Sequence, residues 1–228
     1  MNENKIAYII GNGPSLNEID VSTLKDKITI SFNRAYIAYQ DWGFDPTYYM
    51  VIDVRVLMNI YTDINKLILN SRIKKFFIKD IDGTEEWNVW GFNSRERIVN
   101  DSKVVFIKTD NRIRELRKDV SFDRMGYFGD VGVCSLQALY LEGINRVLVL
   151  GCDANYQEDN LKGIKVEGNE YVSNENSDVN HFRPDYFGKG TVYSKPFGKG
   201  HFMSWVKMAI SLKAFQNRFD VYCGSKGS

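Results

Sequence analysis

Residues 6–24 read IAYIIGNGPSLNEIDVSTL, and the way an apolar run meets two glycines here decides the fold. Ile6 to Ile10 is short, apolar and closed by Gly11, as suits a buried strand that turns sharply at its end. Gly11 and Gly13 let the backbone approach a ligand with no Cβ in the way, while Pro14 and Ser15 are residues that start helices. The stretch predicts strand, glycine turn and helix, with N–H groups and a positive helix end converging on one spot suited to phosphate. It lacks the Lys-Ser/Thr of a Walker loop and the third glycine of the dinucleotide fingerprint. An unliganded strand-to-helix turn is the other reading.

Working outward, short runs rich in β-branched or aromatic residues recur at Ile28–Phe32, Tyr48–Ile52, Lys75–Ile78, Val104–Ile107, Val147–Leu150 and Val221–Cys223. Helix-like patterns lie between several of them, at Ala35–Tyr39, Val54–Tyr61, Val133–Glu142 and Met203–Gln216. This alternation predicts a single α/β domain over residues 1–228, with a mostly parallel sheet and helices on both faces. Ligands of such sheets bind beyond the carboxyl ends of the strands. That rule singles out Gly11–Ser15, Asn33 and Arg34, Asp53, and Gly151–Tyr156. Residues 155–199 are rich in Gly, Asn, Asp and Tyr without sustained periodicity, and are read as a long lid or insert.

Composition narrows the partners. Thirty Lys and Arg balance 29 Asp and Glu, which excludes a general nucleic-acid binder and makes any anion site local. The three cysteines are widely spaced and odd in number, which fits thiols in a reducing compartment. With two histidines and no Cys-x-x-Cys pair, no metal site is expected. No run reaches the length of a membrane span and no signal-peptide pattern opens the sequence, so the expected location is cytoplasmic. Arg112, Arg114, Arg117 and Lys118 are spread around an expected helix and diluted by Glu115 and Asp119. They read mainly as solvated surface, with an anionic acceptor or lipid headgroup as the alternative.

Several segments together carry a family resemblance. GNGPSL, ISFNRAY (30–36), GVCSLQALYLEGINRVLVLGCDANY (132–156) and HFMSWVKMAISLKAFQNRFDVYC (201–223) resemble the bacterial sialyltransferases of glycosyltransferase family 42. FDPTYYMVID (44–53) and VNHFRPDYFGKG (179–190) resemble the related 6-hydroxymethylpterin diphosphokinase MptE-like domain. Both imply a GT-A-type, Rossmann-like domain. The sialyltransferase resemblance implies a metal-independent enzyme without a cofactor, taking a CMP-sugar as substrate and a glycan as acceptor. The location could then be the inner face of the membrane, with peripheral association and homo-oligomerisation both open.

Carried over to this sequence, the resemblance implies nucleotide contacts from Gly11, Asn12, Gly13, Ser15, Asn33, Asp53, Gly132 and Asp153. Asp53 stands where the family has asparagine; the other reading of it is the cap of the following helix. Asp153 either binds nucleotide or closes a turn. The family's arginine and serine before the helix at 132–142 are missing from residues 127–131, with Arg124 just upstream as a substitute. His201 takes the place of the catalytic histidine. At a helix amino terminus its imidazolium is disfavoured, which suits a general base. Tyr156 falls beside the family's phosphate-binding tyrosine, with Tyr186 or Tyr193 as a second donor and His181 as a lid residue. Two readings compete with a glycosyltransferase: a pterin diphosphokinase with Asp53 and Asp153 on magnesium, and an inactive nucleotide-sugar-binding module.

Overall fold

The expected strands form. A computed structural model of the protein describes residues 5–84, 91–113, 115–157, 163–166, 168, 170–194, 198–213 and 219–224. Strands β1 (Ile6–Ile10), β2 (Ile28–Phe32), β3 (Tyr48–Val51), β4 (Lys75–Lys79) and β5 (Val104–Ile107) run along one half of a sheet. The strand pairs β6 (Thr109–Asp110) and β7 (Met125–Gly126) form a small ladder beside it. The chain then returns through β8 (Arg146–Leu150) to the other side of β1, and β12 (Asp220–Cys223) closes that edge. The order β12-β8-β1-β2-β3-β4-β5 is parallel throughout. Its direction of winding reverses between β1 and β8, the place where open α/β sheets leave a crevice.

Side chains alternate across the sheet, and each face is covered. On one face Ile10, Tyr49, Val51, Phe76 and Ile78 pack with Leu57, Ile60, Ile64 and Ile68 of helix α2 (Val54–Asn70). Their three- and four-residue spacing carries α2 well beyond the expected end at Tyr61. Helix α1 (Tyr39–Trp42) follows a 3₁₀ turn at Asn33–Ala38, and α3 (Ser94–Arg97) is a single turn. On the other face Ile9, Ile30, Met50 and Phe77 meet α4 (Val131–Leu141), whose residues from Gly132 to Leu139 are all buried. Met208 of α5 (Gly198–Leu212) joins the same core. The expected continuation of α5 to Gln216 falls in residues 214–218, outside the described residues.

Two expectations are corrected. The stretch around Arg112 and Arg117 is turns rather than helix; Arg112 pairs with Asp110 and Arg117 with Asp119, while Arg114 lies outside the described residues. The long connection is also not bare loop. It carries β9 (Gly163–Lys165), β10 (Glu170–Ser173) and β11 (Val192–Ser194), an antiparallel three-stranded sheet. Phe182 and Tyr186 from the same segment sit in the main core, with Phe182 against Trp42 at 6.0 Å. Asn59 of α2 donates to the Val192 carbonyl at 3.1 Å, and Arg183 donates to Asp41 at 2.7 Å. Among the described residues no helix is long and apolar enough to cross a membrane.

Candidate active site

The crevice at the reversal of winding opens into a cavity of about 480 Å³ under the three-stranded cover. Asn12, Gly13, Asn33, Asp53, Asp153, Tyr156, His181, Tyr186, Tyr193 and His201 all line it. The fold thus gathers ten of the sequence-selected positions from four strand ends, the cover and the start of α5. Gly11, Ser15 and Gly132 stand behind the wall instead, and Arg124 pairs with Asp119 at 3.8 Å away from the lining.

The glycine turn has a different purpose from the one expected. A short 3₁₀ turn, Pro14–Glu18, follows it in place of a helix, and three of its N–H groups are already used. Gly11 N donates to the Leu150 carbonyl and Gly13 N to the Gly151 carbonyl, each at 2.7 Å. Ser15 N donates to Asp153 Oδ2 at 2.9 Å, and Ser15 Oγ donates to Asp153 Oδ1. The Asp153 carboxylate therefore occupies the place an anion would take at this turn. A Cβ on Gly13 would lie 2.7 Å from Asp153 Cγ, and one on Gly11 would lie 2.5 Å from the Gly151 carbonyl carbon. These glycines let two strand ends touch, so a side chain at residue 13 would strike protein before ligand. Gly132 likewise admits the Trp205 ring, 2.9 Å from where its Cβ would be. Asp53 caps α2, its Oδ1 accepting from Arg55 N at 2.8 Å and Val56 N at 3.0 Å.

Two histidines face the cavity, each held by a carboxylate. His201 lies in the first turn of α5, and its Nδ1 sits 2.8 Å from Asp130 Oδ2. The other oxygen of Asp130 caps α4 through Val133 N at 3.0 Å. Asp130 is thus locked by a helix end and presents one oxygen to the ring, which places the Nδ1 proton and leaves Nε2 as the basic nitrogen. Burial pushes the His201 pKa down, but the hydrogen bond and charge of Asp130, with a contribution from Asp53, outweigh it and the net shift is upward. The expected lowering by the helix terminus is corrected: a hydrogen-bonded carboxylate outweighs a partial dipole charge.

His181 is buried at 8% exposure, between Asp178 and Tyr156. Its Nδ1 is 2.7 Å from Asp178 Oδ2 and its Nε2 is 2.5 Å from Tyr156 Oη. Burial dominates here and lowers the His181 pKa, with Asp178 opposing and Arg34 and His201 assisting. A neutral ring that donates from Nδ1 to the carboxylate must accept at Nε2, so the Tyr156 hydroxyl donates to it. Tyr156 then turns lone pairs rather than a proton toward the cavity, which revises the expectation that it donates to a phosphate. Its ring stacks 6.0 Å from that of His201, and the His181 ring lies parallel to Tyr186 at 3.8 Å.

The His181 shift has a testable consequence for stability. The folded protein holds this ring neutral while the unfolded chain protonates it near the ordinary histidine pKa. The unfolded state therefore binds more protons as pH falls, and the contribution, complete above about pH 6.5, is lost below it. The melting temperature should decline from about pH 7 to about pH 5, and less steeply in His181→Gln, which retains a donor and an acceptor. Equal slopes would remove His181 as the titrating group.

The cavity also keeps polar atoms without partners. Asn12 is 7% exposed, and its Nδ2 donates to the Phe32 carbonyl at 3.2 Å and to Tyr186 Oη at 3.0 Å. That leaves Asn12 Oδ1 buried with no donor, and Asn33 Oδ1 is in the same position. Asn33 adopts a left-handed backbone with φ of 54°, as does Ala154 with φ of 50°. Among the described residues these are the non-glycine positions with positive φ, and both line the cavity, where backbone strain commonly collects.

Fold and site together define a three-layer α/β protein with a polar, strained cavity at the winding reversal of a parallel sheet. No family model matches the chain, and no curated protein matches it. Among solved structures it is similar to the MAf glycosyltransferase from Magnetospirillum magneticum AMB-1, at 15% identity and a TM-score of 0.54. The match covers the whole of this chain and 32% of that one, so this chain spans about a third of the other's length. The Rossmann-like fold is thus one that a glycosyltransferase contains.

Proposed function

We propose that the protein is a glycosyltransferase that takes a CMP-activated sugar and passes the sugar to a glycan hydroxyl. The observation that carries this is the Asp130–His201 pair in the lining of a cavity that is also lined by two asparagines with unpartnered buried acceptors. Asn12 Oδ1 and Asn33 Oδ1 suit the amine and hydroxyl donors of a nucleoside. His201 Nε2 takes the proton of the acceptor hydroxyl as that oxygen attacks the anomeric carbon. The bond from the anomeric carbon to the phosphate oxygen breaks, CMP leaves with the electron pair, and the configuration inverts. Asp130 steadies the imidazolium as it forms, which is the value of a carboxylate on the far ring nitrogen. Both oxygens of Asp153 are engaged by Ser15, which weighs against the magnesium role that a diphosphokinase would give it.

A thermal-shift panel tests the reading, since a ligand of the native state raises apparent stability with its occupancy. CMP or CDP should raise the melting temperature more than ATP, without added magnesium. A shift produced by ATP with magnesium alone would overturn the glycosyltransferase assignment.

A further inference from the structure

A leaving phosphate needs a partner for its charge, and the two groups expected to supply it do not. In the glycine turn Gly11 and Gly13 give their N–H groups to carbonyls and Ser15 gives its own to Asp153, and the Tyr156 proton points at His181. Arg34, the residue after strained Asn33, is placed to do so. It lines the cavity, and its Nε is buried without a partner. Arg95, Arg112, Arg117 and Arg183 each hold an aspartate, whereas Arg34 enters no ion pair among the described residues. Its printed hydrogen bond is through the main chain, Arg34 N donating to Tyr186 Oη at 3.4 Å.

Uncompensated charge in a half-buried position is costly unless an anion completes it. Among the described residues no carboxylate forms an ion pair with Arg34, and Asp185 feels its charge only as the weakest of several influences. Burial keeps the phenols of Tyr186 and Tyr49 protonated and the His181 ring neutral. Asp185 gives both of its oxygens to Arg183, at 2.9 Å each. The backbone beneath is fixed, because Tyr49 Oη donates to the Asn33 carbonyl at 2.5 Å and holds the left-handed turn. A rigid turn, a guanidinium without an ion pair and two orphaned amide oxygens thus belong to three residues that line one cavity.

We infer that Arg34 is the anion-binding residue of this cavity and that its ligand is a phosphoryl group, on the nucleotide reading the phosphate that departs with CMP. A guanidinium binds two phosphate oxygens at once through its planar fork, and its charge is fixed at any working pH. The assignment rests on the proposed function for the identity of the nucleotide but not for the anion.

Calorimetric titration of CMP, cytidine, inorganic phosphate and glucuronate into wild type, Arg34→Gln and Arg34→Lys tests it. Wild type should bind CMP at least about 10-fold more tightly than cytidine, the scale of a hydrogen bond to a charged group. Arg34→Gln should lose that margin, binding CMP and cytidine alike with cytidine affinity unchanged, and Arg34→Lys should fall between because it keeps the charge without the fork. Without ligand, Arg34→Gln should melt no lower than wild type, since an unpaired charge has been removed. CMP affinity equal in Arg34→Gln and wild type would overturn the Arg34 assignment while leaving the nucleotide reading intact. If folded wild type binds neither CMP nor cytidine, the nucleotide reading fails. Phosphate binding that disappears in Arg34→Gln would then still uphold the anion site, and its persistence would overturn it. Glucuronate that binds wild type more tightly than phosphate and is lost in Arg34→Gln would reassign the residue to a carboxylate and overturn the phosphoryl inference.

Discussion

His201→Ala should lower sugar transfer by roughly 10²–10⁴-fold and leave CMP affinity nearly unchanged, because proton removal is felt in the transition state and hardly in the ground state. The pH profile separates this from a loss of packing. The base works only when deprotonated, so the rate falls as pH falls through the His201 pKa. Asp130, 2.8 Å away, outweighs burial and raises that pKa, so the acid limb of wild type should lie above the ordinary histidine value of about 6.5. Asp130→Asn removes the charge that raises it. Its limb should shift to lower pH, and in His201→Ala the limb should vanish. A folded His201→Ala enzyme with wild-type turnover, or an acid limb unmoved by Asp130→Asn, would remove this pair from the mechanism.

Gly11→Val should be the most damaging single change to the fold. A Cβ at residue 11 meets the carbonyl group of Gly151, main chain at the end of a neighbouring central strand, with Cys152 Sγ 2.7 Å away. Neither β1 nor β8 can withdraw without opening the sheet at its middle. Overpacking of flexible cores costs about 1–3 kcal/mol, and rigid backbone on both sides should take the loss above about 3 kcal/mol. Urea unfolding measures it, with Gly43→Ala as the comparison: Gly43 has φ of 75° and open space around it, so its loss should stay near 1 kcal/mol. A Gly11→Val protein as stable as Gly43→Ala would show that the strand ends have room to part. Gly13→Val should also act first on stability, by displacing the Asp153 side chain from Ser15, rather than by blocking a ligand.

The sheet was legible because each strand is announced locally. Ile6–Ile10 and Tyr48–Val51 are apolar on both faces, Ile28–Phe32 sets only the small Thr29 and Ser31 against its apolar face, and each run meets a polar residue within two positions, which is how a parallel strand covered twice reads. The cover was not legible. Its strands of three or four residues, such as Gly163–Lys165 and Val192–Ser194, are too short and too polar to rise above loop composition. The site was half legible. Positions at strand ends follow from topology, whereas the pairs that set their chemistry do not: Asp130 with His201, Asp178 with Tyr156 through His181, and Ser15 with Asp153 are brought together only by the fold. Asp130 did leave a sign, an aspartate directly before an apolar helix, but capping alone gives no hint of a second oxygen aimed at a histidine.

The placement of β1 has a consequence for how the chain comes into being. One edge of this strand pairs early, with β2, through Ala7 and Ile28, but the other pairs through Ile6 and Arg146. During synthesis the IAYII segment is therefore half of a sheet interior with no second neighbour until most of the chain has been translated. Parallel pairing over so long a separation is slow, since the loop must close before any contact rewards it. Over that interval an apolar edge with free N–H and C=O groups is open to strands of other nascent chains. The same strand that anchors the cavity in the finished protein is thus the one that most needs shielding while the protein is being made, and yield in a cell should follow translation speed and chaperone supply more closely than it follows the stability of the folded state.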